Sequence, residues 1–185
     1  MKGLAAASGL LLASLLAAVA VSALSPESNV ELERPAIGDP GAPRIGRDHW
    51  HAVYSFYACG EQQPNAPTWE GGGVHTHGDG IVHMHPFTQA EEGRGSRLIK
   101  WFEYGGGLLD DDEIRLPGLG TTWKNGETCP DGTPDEREDG VVQVFVNTEQ
   151  LDDWMDYIPQ DGDVIWMSFG KEVDEAPLEA STSAQ

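Results

Sequence analysis

The sequence predicts an α+β domain with a mixed β-sheet and one main helix, placed after an N-terminal hydrophobic helix and a linker. Two observations predict this class in a chain of 185 residues. Several short apolar or alternating stretches are bounded by Gly, Pro or Asp, which is typical of strands. One other stretch, residues 96–104, carries apolar side chains at helical spacing. With 39% hydrophobic and 23% charged residues, the chain has enough apolar surface to build a core.

The first half of the predicted domain contains two strands and the helix. Residues 51–59 alternate and are rich in aromatic side chains, so we expect a strand there. Residues 60–80 are rich in Gly and Pro and predict a long loop, and residues 81–87 predict a second strand. The helix predicted over residues 96–104 is followed by the glycines 105–107, which are typical of a helix end.

The second half adds three strands and a short helical turn. Residues 113–116 predict a short strand, and the run VVQVFV at 141–146 predicts a strong one. Residues 152–157 are expected to form a short helical turn. Residues 163–169 predict the closing strand of the sheet.

The chain divides into four predicted segments. Residues 1–24 form a signal peptide or membrane anchor, and residues 25–47 form a linker rich in Pro and Gly. Residues 48–170 form a single globular domain. Residues 171–185 are acidic, then small and polar, and we expect a disordered tail.

The N-terminal segment predicts export. Residues 3–24 carry no charge and are mostly Ala, Leu and Val, and Lys2 supplies a positive charge before them. Two interpretations remain. Cleavage after Ala23 would give a secreted protein. Alternatively, the run of about 20 apolar residues is long enough to stay in the cell membrane as a single-pass anchor, with the domain facing outward.

The net charge excludes some classes of partner. The chain has 11 Lys and Arg residues against 31 Asp and Glu residues, a formal net charge of −20. A chain of this charge repels the phosphate backbone, so we exclude a nucleic-acid binder that depends on phosphate contacts. Docking of a basic patch on anionic lipid is also disfavoured, whereas attraction of cations is favoured.

The chain contains two cysteines, Cys59 and Cys129. In an oxidising compartment such a pair favours a disulfide, and the compartment makes this the preferred interpretation. The alternative is that Cys59 is a metal ligand beside the histidines.

The histidines carry the strongest functional signal. All six fall into three His-x-His pairs within residues 48–86. Residues i and i+2 of a strand point to one face, so each pair can offer two imidazoles to one ion. Neutral imidazole is a common ligand of late first-row metals. The candidate metal ligands are His75, His77, His83, His85, His49 and His51. The first four of these are favoured because they lie close together in sequence.

A glycine-flanked aspartate lies between the second and third pairs. Gly78-Asp79-Gly80 is a turn sequence that could fold these two pairs toward each other. Asp79 is a candidate fifth ligand or a residue that orients a histidine ligand, and an ordinary turn role is equally compatible with the sequence. His49 and His51 would join the site if the first two predicted strands are neighbours. A purely structural role of the histidines is the alternative.

The order of the predicted elements resembles the β-grasp, or ubiquitin-like, roll. The sequences VFVN at 144–147 and DGDVI at 161–165, with the ending Phe169-Gly170, are similar to the last two strands of β-grasp domains in the sulfur-carrier and related groups. Sulfur carriers end in an exposed Gly-Gly carboxylate. Lys171 follows Gly170 here, so the resemblance does not imply a thiocarboxylate function.

Three motifs resemble those of a family of uncharacterised bacterial proteins with one N-terminal membrane segment. They are DHWH at 48–51, Cys-Gly at 59–60 and HTHGDGIVHMHPF at 75–87. The likeness spans most of residues 48–170. It implies membership of that family and no particular chemistry.

These observations predict an exported, membrane-anchored protein that binds a transition metal, with copper or zinc as the expected ion. The function would be metal sequestration or delivery. It would be catalysis by a small metalloenzyme if three histidines leave a coordination position open to water. The alternative is a metal-free β-grasp interaction module that binds a protein partner at the membrane surface. No sequence motif identifies a substrate.

Overall fold

A mixed seven-stranded sheet and one α-helix dominate the computed structural model, which describes residues 41–176. The predicted segment 1–24, most of the predicted linker and the end of the predicted tail lie outside the described residues. Across residues 41–176, no helix is both long enough and apolar enough to cross a membrane.

The elements are mostly short. In chain order the strands are β1 (Trp50–Ala58), β2 (Glu61–Gln62), β3 (Val74–His75), β4 (Ile81–Met84), β5 (Leu108–Leu109), β6 (Glu113–Arg115), β7 (Trp123–Lys124), β8 (Val141–Val146), β9 (Glu149–Gln150) and β10 (Val164–Gly170). The helix α1 (Leu98–Tyr104) follows two 3-10 turns at Gln89–Glu91 and Gly93–Ser96.

The larger sheet is built around a central parallel pair. Strands β1 and β10 run parallel, with Val53 opposite Val164 and Ala58 opposite Phe169. Their outer neighbours are both antiparallel, β4 beside β1 and β8 beside β10. The order across the sheet is β3-β4-β1-β10-β8-β9, with β2 paired to β1. Strands β5, β6 and β7 form a separate sheet. The predicted α+β class, a mixed sheet with one main helix, is confirmed.

One face of the sheet carries the main core. Alternate residues of β1 (Ala52, Tyr54 and Phe56) are buried there. The helix presents Trp101 and Phe102 to the same core, and the Trp101 ring lies 4.7 Å from the Tyr54 ring. The odd-numbered residues of β1 therefore face the other side of the sheet. The alternation of side chains predicted for this strand therefore places them on two different faces of the sheet.

The segment 152–157, where a short helical turn is expected, contains one hydrogen-bonded turn, in which the Tyr157 amide donates to the Trp154 carbonyl at 3.4 Å, but it forms no helix. Tertiary contacts determine its path. The Asp156 carboxylate accepts a hydrogen bond from the Arg97 guanidinium, and the Tyr157 carbonyl accepts one from the Leu98 amide at 2.8 Å. Asp152 and Asp153 also favour turns over helix interiors.

The predicted loop at 60–80 contains two short strands that the sequence did not reveal, β2 and β3. The predicted strand at 81–87 ends earlier, at Met84. Pro86 lacks the N–H that a continuing ladder needs. The His85 amide still donates to the Gly73 carbonyl at 2.6 Å, so the chain stays beside β3 for one further residue.

Both ends of the described chain contact the domain. Ala42 is buried, and the Arg44 guanidinium pairs with the Asp48 carboxylate at 2.7 Å. At the other end, the Val173 backbone exchanges two hydrogen bonds with the Gln143 side chain. These contacts extend the ordered structure a few residues beyond the predicted domain on each side.

Cys59 and Cys129 form a disulfide, which confirms the preferred prediction. Both cysteines are buried, and the bond joins the end of β1 to the loop before β8. Because the two sulfurs are bonded to each other, Cys59 is not available as a thiolate ligand. The histidines are the remaining candidates.

Candidate metal centre

Strand pairing places three histidines in one row across the sheet. In the antiparallel pair of β1 and β4, His51 lies opposite His83. In the antiparallel pair of β3 and β4, His75 lies opposite the same His83. The two predicted strands that carry the first and third pairs are therefore neighbours, which is the condition under which His49 and His51 join the site.

All of these side chains lie on the face of the sheet opposite the helix. Val82 and Met84 of β4 are fully buried in the core, so His83 between them points to the other face. The same alternation applies to His51, which precedes the core residue Ala52. The candidate ligands therefore project from the face that the main core does not use, and a smaller hydrophobic cluster around Phe145 and Trp166 packs on that same face.

His49, His51 and His83 form the tightest group. Within the described residues, their ligand atoms lie within 4.8 Å of one another, and this group could hold a metal ion. The ring centroids of His49 and His51 are 4.6 Å apart, and those of His51 and His83 are 4.8 Å apart. One nitrogen of each ring lies within 4.8 Å of one nitrogen of each other ring, and a shared ion would draw them closer, because metal–nitrogen bonds are about 2 Å long.

His83 has one ring nitrogen in a hydrogen bond and one without a partner. Its Nε2 lies 3.0 Å from the Asp79 carboxylate. Its Nδ1 is buried and has no hydrogen-bond partner in the described part of the chain. In the neutral ring, Nε2 carries the proton because it donates to the Asp79 carboxylate, and Nδ1 then carries the lone pair. A buried lone pair without a partner is costly, and a metal ion would satisfy it.

Asp79 is held in place by the turn that the sequence predicted. Gly78 and Gly80 on either side have positive φ angles, +80° and +81°, which favour glycine. One Asp79 oxygen accepts the Ile81 amide at 3.1 Å, and the other accepts His83 Nε2. Partial burial raises the pKa of this carboxyl, but these hydrogen bonds outweigh it and bring the pKa below its ordinary value. Asp79 is therefore an ionised acceptor for His83.

The backbone of His51 is fixed by the loop before β10. The His51 amide donates to the Asp161 carboxylate at 2.9 Å, and the His51 carbonyl accepts the Gly162 amide at 2.8 Å. This loop is far from β1 in sequence. The position of this candidate ligand thus depends on a segment 110 residues away.

The other three histidines surround the group. His75 is buried, and its Nδ1 lies 3.1 Å from the Gly72 carbonyl. The exposed His77 has its ring 4.5 Å from the His83 ring. His85 stacks on His49 at 4.8 Å. The structure therefore brings all six histidines into one patch but leaves His75, His77 and His85 outside the tightest group.

Two of the histidines have lowered pKa values. For His49, desolvation and the neighbouring imidazoles of His51 and His85 lower the pKa. For His75, burial lowers the pKa, although the hydrogen bond to Gly72 acts in the opposite direction. Both effects favour the neutral ring, which is the form that binds metal.

Sequence reasoning missed Glu91, which holds two histidine-bearing segments together. Its carboxylate accepts backbone amides of Gly73 at 3.0 Å, Phe87 at 2.8 Å and Thr88 at 2.9 Å. These amides lie two residues before His75 and two or three residues after His85. Thr88 and Glu91 form a capping box, and the pattern Thr-x-x-Glu is the signal that could have identified it.

No family model matches this sequence, and no curated protein or solved structure matches it significantly. The feature that points to a function is therefore the geometry of the histidine patch.

Proposed function

We propose that this domain binds a transition metal ion, copper or zinc, through His49, His51 and His83. The main support is the unpartnered, buried Nδ1 of His83 beside two further imidazoles. Asp79 orients His83 from the opposite ring nitrogen, an arrangement that recurs around metal-bound histidines. Imidazole donors without thiolates suit Cu(II) and Zn(II).

The role we propose is sequestration or delivery of the ion, or catalysis as a small metalloenzyme. Three nitrogen ligands leave at least one coordination position for water or another ligand. An open position permits exchange of the ion with a partner, and it also permits activation of a bound water. A net charge of −20 favours the approach of cations to the domain.

We also propose that the domain is exported. The uncharged residues 3–24 after Lys2 support this, as does the disulfide between Cys59 and Cys129, because such bonds persist in oxidising compartments. The N-terminal segment is either cleaved on export or retained as a single-pass membrane anchor. Membership of the bacterial family with the HTHGDGxxHxHPF motif likewise stays a prediction.

A β-grasp-like arrangement is our proposal for the fold type. It is supported by the strand order β4-β1-β10-β8, by the parallel central pair and by the helix over one face. The metal site would then lie on the face that the helix leaves free.

Metal analysis of the full chain tests the proposed function. We load the protein with one equivalent of Cu(II) or Zn(II), dialyse it against metal-free buffer and measure the retained metal by elemental analysis. We expect about one ion per chain, and loss of that ion in His49→Ala/His83→Ala. Stripping with EDTA should lower the thermal unfolding midpoint, because the ion binds only the folded state.

His77→Ala is the matched control. It also removes one exposed imidazole whose ring contacts His83, but it lies outside the three-histidine group. We expect it to retain the ion. If neither the wild type nor the control retains metal, and EDTA leaves the unfolding midpoint unchanged, the metal proposal is wrong and the metal-free interaction module becomes the better account.

A further inference from the structure

The histidine patch has more ligand nitrogens than one ion can use. His83 lies between two pairs, with the His51 ring 4.8 Å away on one side and the His77 ring 4.5 Å away on the other. Because Asp79 takes Nε2 of His83, only Nδ1 remains for an ion. His83 can therefore serve a single ion, and the proposed centre with His49 and His51 uses it.

The second pair keeps its own free donors. Nδ1 of His75 faces the Gly72 carbonyl at 3.1 Å, and a carbonyl only accepts hydrogen bonds. The His75 proton is therefore on Nδ1, and Nε2 carries the lone pair. This is the same combination of one oriented N–H and one free nitrogen that prepares a metal ligand at His83.

His77 lies within reach of His75. The two ring centroids are 5.1 Å apart, and the planes are nearly perpendicular at 84°. His75 is buried and fixed, whereas His77 is exposed. A fixed imidazole and a movable one can converge on an ion with little rearrangement of the backbone, and solvent can fill the remaining coordination positions.

We propose that the patch binds a second transition metal ion between His75 and His77, more weakly than the first because it has only two protein ligands. This inference rests on the proposed function, since it assumes that the first ion occupies His83. The domain then binds two ions, one held by three histidines and one held by His75 and His77.

Titration of the full chain with Cu(II), followed by equilibrium dialysis at a range of free-metal concentrations, tests the proposal. We expect two ions per chain in the wild type, bound in a tight and a weak class. His77→Ala should bind one ion and keep the tight class unchanged. His49→Ala/His51→Ala should lose the three-histidine centre and still bind one ion, because His75 and His77 remain.

The outcomes separate this inference from the proposed function. One ion per chain in the wild type, or two ions still bound by His77→Ala, overturns the second site and leaves the first intact. No binding at all overturns both. Because His77 is exposed, its variant should fold as the wild type does, and circular dichroism of the apo protein checks this.

Discussion

The hydrogen bond between Asp79 and His83 determines which nitrogen of His83 is free. In Asp79→Asn, the side-chain oxygen can still accept the Ile81 amide, which lies 3.1 Å from the present carboxylate. The amide NH2 would then face Nε2 of His83. A donor in that position needs Nε2 as an acceptor, so the His83 proton moves to Nδ1 and blocks the nitrogen left for the ion.

The expected loss follows from this change of tautomer. Removal of a carboxylate that orients a metal-bound histidine typically costs about 10- to 100-fold in metal affinity, or about 1.4–2.8 kcal/mol. We expect a rise of that size in the Kd for Zn(II) or Cu(II). The Kd can be measured by competition with a chelating dye of known affinity.

The control is Asp131→Asn, which removes the same charge from a side chain that is 80% exposed and paired with Arg137. It should leave the Kd unchanged, because an exposed charge that makes no hydrogen bond to a histidine is screened by solvent and salt. A Kd within about threefold of the wild type in Asp79→Asn would refute the reasoning that this carboxylate sets the tautomer of His83.

Two further predictions concern stability. Cys59→Ser/Cys129→Ser removes a crosslink between residues 70 apart, and we expect the free energy of unfolding to fall by about 4 kcal/mol. Urea denaturation with and without reductant measures this fall, and an unchanged midpoint would contradict the prediction. The pKa values of His49 and His75 are lowered in the folded state. Their contribution to the stability of the apo protein is therefore complete above about pH 6.5, the ordinary pKa of histidine. It is lost as the pH falls through the lowered folded-state values, because the unfolded chain then binds more protons. Thermal unfolding midpoints between pH 8 and pH 5 measure this loss, and a His49→Asn/His75→Asn variant with an equally steep profile would argue against these two residues as its source.

The long strands could be predicted because the alternation of side chains between two faces can be recognised within the sequence of a single strand. The expected strand at 51–59 differs from β1 by one residue at each end, and the expected strand at 141–146 coincides with β8. Strand β3 could not be predicted, because two residues show no period and its existence depends on pairing with β4. The helix begins at Leu98, two residues later than expected, because a 3-10 turn precedes it.

The candidate ligands could be predicted by residue type, but their grouping could not. Proximity in sequence favoured His75, His77, His83 and His85, whereas the structure brings His49 and His51 closest to His83. That grouping depends on the register that sets His51 opposite His83. Register is a long-range property of two strands, and the sequence of either strand alone does not contain it.

The parallel pairing of β1 with β10 has a consequence for how the chain folds. The two strands lie near opposite ends of the domain in sequence, so the central ladder is complete only when Phe169 is available. Until then β1 exposes an unpaired edge, which is prone to associate with other chains. Contacts of such long sequence separation also slow folding. During synthesis, therefore, we expect the N-terminal half to stay unfolded until β10 is available. Truncation before Val164 should produce aggregated protein rather than a smaller domain.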